Sequence, residues 1–106
     1  MSQATATQIL DLDRLLQDGG LIVMDCWASW CGPCQVVRSL VEQLSDEYGD
    51  RIQTIQLDVE ENKEFVKKIG LRSIPAVLIF QDGELVESVV GLAPYSRFAH
   101  LVERHL

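Results

Sequence analysis

No apolar run in this chain approaches the ~20 residues that a bilayer-crossing helix needs, so a helical membrane span is excluded and no membrane partner is expected. Basic residues are scarce: nine Lys and Arg stand against 16 Asp and Glu, for a net charge of -7. That balance argues against nucleic acid, which rewards stripes of Lys and Arg. An acidic surface favours solubility and weakly selects basic partners. Cysteine is scarce too. Three cysteines, an odd number, do not make a disulfide scaffold and suit a reducing compartment. Residues 1–16 carry no basic stretch followed by an apolar one, so a secretory signal is not expected and a cytoplasmic location is. Repeats, low-complexity segments and linkers are also missing. The 106 residues therefore read as one domain, 1–106, large enough to bury roughly two-thirds of its unfolded surface.

What is present is concentrated in Trp30-Cys31-Gly32-Pro33-Cys34. Two thiols separated by two residues form a dithiol that can close into a disulfide and reopen. If a helix begins here, Cys31 and Cys34 lie one turn apart with their sulfurs on the same side. Pro33 suits a first turn, since its φ is helical and its missing N–H has no intrahelical partner there. The free N–H groups and positive end of such a helix favour thiolate over thiol at Cys31, and the thiolate is the nucleophile. A structural disulfide or half of a zinc site are the competing readings. Zinc wants four ligands, and beyond this pair only Cys26, His100 and His105 offer soft ones, so no metal is expected.

The rest of the chain alternates strand and helix patterns. Residues 5–10 form a possible edge strand, and Asp11 reads as the N-cap of a short helix carrying Leu12, Leu15 and Leu16, stopped at Gly19-Gly20. Residues 21–28 are almost continuously apolar, as in a strand buried on both faces. A long helix is expected over 31–48, with Val37, Leu40, Val41 and Leu44 on one stripe and Gly49 as its stop. Residues 52–59 read as a second core strand, and 61–69 as a solvated helix turning Phe65, Val66 and Ile69 inward. Strands at 76–80 and 85–90 are joined by Asp82-Gly83, a strong hairpin signal. Pro94 opens a last helix with Phe98, Leu101 and Val102 toward the core. This order implies an α/β fold with a central mixed sheet of four to five strands and helices on both faces.

From about residue 5 to 106 the chain resembles the thioredoxin family. The resemblance is carried by Val23-Met24-Asp25, Trp27-Ala28, Trp30-Cys31-Gly32-Pro33-Cys34, Gly70-Leu71-Arg72-Ser73-Ile74-Pro75, Asp82-Gly83 and Gly91. It implies the thioredoxin fold and a protein-disulfide reductase. Cys31 resembles the family's attacking thiol and Cys34 its resolving thiol, and tethering makes the second exchange intramolecular. Ile74-Pro75 resembles the family's cis-proline loop, which would lie beside Cys31 and offer backbone groups to an extended substrate segment. A strand-leading proline that only stiffens the chain is the alternative. Trp30, Gly32, Ile74 and Gly91, together with Pro33 and Pro75, resemble the rim that accepts a partner. Gly-Pro brings no cation between the cysteines, so reductase is favoured over oxidase or isomerase. The chain has no Gly-rich nucleotide loop, so no cofactor is expected and electrons arrive from a thioredoxin reductase, NADPH- or ferredoxin-linked. Disulfide-containing proteins are the implied targets, and a monomer is expected.

Asp25 is an ionisable group inside an apolar strand. Burial should raise its pKa, and the resemblance makes it the group that takes and returns the Cys34 proton; a hydrogen-bonded structural carboxylate is the alternative. Three positions depart from the family pattern. Gln56 stands where a lysine often neighbours this acid, which should leave Asp25 harder to ionise. Ser39 replaces a common kinking proline, so a straighter helix is expected. Gln35 replaces a common lysine after Cys34; Arg38 reads as an ordinary solvated side chain, with partial replacement of that lost charge as the alternative. Trp27 reads as packing beneath the site, with core filling open for both tryptophans. Cys26 should point away from Asp25 into core, against the reading of a regulatory thiol. His100 and His105 are expected to face solvent. Beside the reductase stands a second class, a binding subunit that uses the rim without redox exchange.

Overall fold

A computed structural model of the chain describes residues 3–6 and 20–106. The elements are β1 (Gln3–Ala6), β2 (Leu21–Trp27), α1 (Pro33–Tyr48), a 3-10 turn at Gly49–Arg51, β3 (Gln53–Asp58), α2 (Lys63–Ile69), β4 (Ala76–Gln81), β5 (Glu84–Val90) and α3 (Tyr95–Glu103). The strands form one mixed sheet in the order β1-β3-β2-β4-β5. β1 and β2 run parallel to β3, and β4 is antiparallel to both β2 and β5. The mixed sheet and its helices agree with the expected architecture. The edge strand is seen at Gln3–Ala6, sharing only Thr5 and Ala6 with the expected 5–10. The rest of that stretch, and the Asp11 helix with Leu12, Leu15 and Leu16, lie outside the described residues.

β2 is paired along both edges, and its side chains alternate into two cores. Leu21 and Val23 join Val37, Val41, Leu44 and Tyr48 of α1 and Phe98, Leu101 and Val102 of α3 on one face. Ile22, Met24 and Cys26 join Ile55, Leu57, Leu78 and Phe80 on the other, where Phe65, Val66 and Ile69 of α2 close over them. This double burial accounts for the almost continuous apolar run in the sequence. Tyr48 donates to Glu103 Oε2 at 2.6 Å and Tyr95 donates to Glu47, tying α1 to α3 at their polar margin.

α1 begins at Pro33, with Pro33 at its first position and Gly32 as cap, two residues later than expected. Cys31 therefore sits just ahead of the helix and Cys34 inside its first turn. The helix runs unbroken past Ser39, whose hydroxyl donates to the Gln35 carbonyl at 3.3 Å, and ends at Gly49 with φ +55°. Pro94 is the residue before α3 and not its first turn. His100 is exposed, but His105 corrects the expectation. After α3 the chain folds back on the hairpin, placing His105 Nε2 2.8 Å from Glu87 Oε2 and Nδ1 3.1 Å from Gln81 Oε1. Its partners lie on other strands, where helical spacing carries no information.

The β4-β5 turn has Asp82 at φ +52° and Gly83 at φ +88°, the left-handed pair of a type I′ hairpin. Asp82 also accepts from the Gly20 N–H at 3.0 Å and donates its own N–H to the Gly20 carbonyl, fastening the turn to the start of β2. At the opposite end of the hairpin, Ala76 pairs with Val90, and the Gly91 N–H donates to the Pro75 carbonyl at 2.8 Å. Ala76 also opposes Cys26, so Pro75 and Gly91 are carried to the carboxyl end of β2. Gly83→Ala forces a Cβ into left-handed backbone and should cost ~1 kcal/mol, read as a lower midpoint of urea unfolding.

Candidate active site

Where β2 ends, the chain turns through Ala28 to Cys31, whose N–H donates to the Ala28 carbonyl at 3.1 Å. Cys31 and Cys34 are bonded to each other across a Cα separation of 5.4 Å. The three-residue spacing read from the sequence is thus the spacing of a closed disulfide. Ala28, Cys31 and Cys34 form a small buried cluster, against which Trp27, Val59 and Ile74 pack. Of the two sulfur residues, Cys31 keeps the larger exposure, 7% against 3%. The Ile74–Pro75 peptide is cis, the geometry implied by the family resemblance.

Around this cluster the surface is open. Trp30 is 67% exposed and its indole N–H donates to Glu60 Oε2 at 3.1 Å. Gly32 and Pro33 are exposed, and Gly91 is half-buried against Pro75. A cleft of about 340 Å3 is lined by Trp30, Val59, Val66, Leu71, Arg72, Ser73 and Ile74. Among the described residues, no three His, Cys, Asp or Glu side chains gather as a metal's ligands would.

Asp25 lies under the site with no exposed surface. In the sheet it stands beside Gln56 on β3 and Val77 on β4, neither of them charged. Neither carboxylate oxygen has a hydrogen-bond partner among the described residues. Burial pushes its pKa from the usual 3.8 to about 6; Arg38 pulls the other way and Glu42 adds to the rise. Arg38 is the main correction to the sequence reading. Its guanidinium lies 4.5 Å from the centroid of the Trp27 ring, and its Nε is 3.9 Å from Asp25 Oδ2. Only a third of its side chain is exposed. The expected solvated arginine is instead folded back onto the buried acid, because stacking on indole shelters its stem while the charge finds an opposite one.

Cys26 fills the other core with no exposed surface, and burial, followed by the nearby Asp25 charge, pushes its thiol far above the usual range. Sequence reasoning missed Glu42, Glu60 and Val59. A signal for the first existed: Cys34, Arg38 and Glu42 recur every four residues and share one stripe of α1. For Glu60 and Val59 the signal is topological, since parallel pairing brings the end of β3 beside the end of β2, where the Val59 N–H donates to the Trp27 carbonyl.

A closed Cys-x-x-Cys at the carboxyl end of a central strand, in a mixed sheet covered on both faces, defines a thiol–disulfide oxidoreductase. The sequence model of the Thioredoxin family matches residues 5–104. The chain is 42% identical over 87 residues to thioredoxin of Bacillus subtilis, covering 82% of this chain and 84% of that one. It is 33% identical over 103 residues to Thioredoxin 1 of Synechococcus elongatus, with 97% and 96% covered. A mutant thioredoxin from Halobacterium salinarum superposes with a TM-score of 0.86 at 32% identity, covering 98% of this chain and 90% of that one. The chain belongs to the thioredoxin family, and the protein is a protein-disulfide reductase whose partners are disulfide-containing targets and a reductase.

Two expectations follow for Asp25. Its folded pKa is raised, so the folded state holds the proton more tightly than the unfolded chain does. Stability is fully present below about pH 4 and declines as pH rises through about 6. At roughly 1.4 kcal/mol per pH unit, the decline amounts to about 3 kcal/mol. Asp25→Asn should remove this slope and be the more stable protein at pH 8, as denaturant titrations across pH would show. Gln56→Lys, at the paired position, should lower the Asp25 pKa; a carboxyl NMR titration with no change refutes the coupling.

Proposed function

We propose that Cys31 is the attacking thiol, Cys34 the resolving thiol and Asp25 the group that holds the Cys34 proton between steps. The observation that carries this reading is the closed Cys31–Cys34 bond, with Cys31 ahead of α1 and Cys34 within it. In the reduced protein, Cys31 thiolate attacks one sulfur of a target disulfide. The target S–S bond breaks, its other sulfur leaves as thiolate and takes up a proton, and a mixed disulfide joins Cys31 to the target. Cys34 then gives its proton to the Asp25 carboxylate and attacks the Cys31 sulfur. The Cys31–Cys34 bond forms, the bond to the target breaks, and the departing target sulfur receives a proton. The target has gained two electrons and the dithiol has lost them.

Asp25 suits the proton step because a carboxyl with a pKa of about 6 accepts and releases a proton near neutrality at little cost. Trp30, Gly32, Pro33, Ile74, Pro75 and Gly91 form the rim on which an extended target segment lies. Support comes from the exposed indole, the exposed Gly32-Pro33 turn, and the packing of Ile74 against the disulfide. Residues 1–106 work as one domain and as a cytoplasmic monomer, with the dithiol regenerated by a pyridine-nucleotide- or ferredoxin-linked thioredoxin reductase.

The test separates the two thiols. Cys34→Ser should trap a mixed disulfide with a protein target, visible as a larger species on non-reducing gels and released by excess thiol. Cys31→Ser should neither trap nor reduce. Retention of disulfide reduction by Cys31→Ser would overturn the assignment.

A further inference from the structure

Among the described residues, Arg38 is the one cation brought to Asp25. Among the described residues, Arg38 and Glu42 act on the acid from α1, with Cys34 one turn back on that helix, and Gln56 of β3 and Val77 of β4 stand beside it in the sheet. Of these, Arg38 alone carries positive charge. Its place is fixed by the Trp27 ring 4.5 Å away, on the same strand as Asp25. From there Nε stops 3.9 Å short of Oδ2, too far for a hydrogen bond but close for Coulomb attraction. Arg38 thus favours the ionised carboxylate without occupying the oxygens, which stay open to accept a proton.

We infer that Arg38 is a positioning residue that governs when Asp25 carries charge and, through Asp25, the pH range over which Cys34 resolves the mixed disulfide. The resolving half rests on the reading of Asp25 as the Cys34 proton acceptor; the coupling half does not. The arrangement also makes sense of Gln56. With no lysine on β3, the cation arrives from α1, held by the Trp27 indole.

The experiment follows Asp25 by carboxyl NMR, and the resolving rate by release of a peptide thiol from the mixed disulfide on Cys31. Arg38→Met, which removes the charge and keeps the stem, should raise the Asp25 midpoint by about one pH unit, and the pH midpoint of the resolving rate should rise with it. Arg38→Gln supplies a second neutral variant should the first not fold. Arg38→Lys should restore at least half of the shift. In an Asp25→Asn background, Arg38→Met should leave the resolving profile where Asp25→Asn alone puts it. An unmoved Asp25 midpoint in folded Arg38→Met and Arg38→Gln overturns the coupling. A resolving profile that moves with Arg38 even when residue 25 is Asn overturns the route through Asp25. If Asp25→Asn alone leaves the profile of the native protein unchanged, the proton-acceptor reading fails, while the NMR midpoints still decide the coupling.

Discussion

β2 is the constraint on which everything else rests. It is hydrogen-bonded along both edges and covered on both faces, so it has no freedom to shift register. A slip of one residue would exchange Leu21, Val23 and Asp25 with Ile22, Met24 and Cys26, emptying one core into the other. Because that slip is forbidden, the position of its carboxyl end is fixed, and the Cys31 loop starts from a rigid point. The neighbouring strands deliver their own ends to the same place: Val59 and Glu60 from β3, Pro75 ahead of β4, Gly91 after β5. The crevice outside the carboxyl ends of parallel strands is where open α/β sheets place their chemistry, and here β2 and β3 provide it.

The one polar side chain that β2 carries into an apolar interior is also the one whose proton affinity departs toward neutrality. Burial of Asp25 works against stability at neutral pH, and neither sheet neighbour offers a charge. Such a cost is common where a carboxyl must exchange protons near pH 7. Arg38 and Glu42, spaced one turn apart on the helix that also holds Cys34, act on it in opposite directions. The dithiol and the buried carboxyl are therefore positioned by the same two elements, α1 and β2.

Much of this was legible in the sequence because the strongest signals are local. The apolar run of β2, the stripe on α1, the Asp82-Gly83 turn and the Cys-x-x-Cys spacing each depend on residues within a few positions of one another. The burial of Asp25 followed from its neighbours along the strand. What was not legible depends on approach across the fold. Arg38 read as solvated because nothing in its own helix announces Trp27, eleven residues earlier on another element. His105 read as exposed because Glu87 and Gln81 belong to a hairpin brought to it only by the docking of α3. The cis geometry at Ile74–Pro75 came from likeness to relatives and not from the dipeptide itself, whose base preference is trans.

The three cysteine sulfurs of this chain end in two different chemical worlds. Cys26, one residue from Asp25 but facing the other core, is shielded from solvent, and burial makes it hold its proton more firmly than a free thiol does. An oxidant diffusing up to the folded molecule meets a two-thiol reagent, not a three-thiol one. Scrambled pairings that would strand the active pair are thereby avoided, and strand alternation alone draws that boundary.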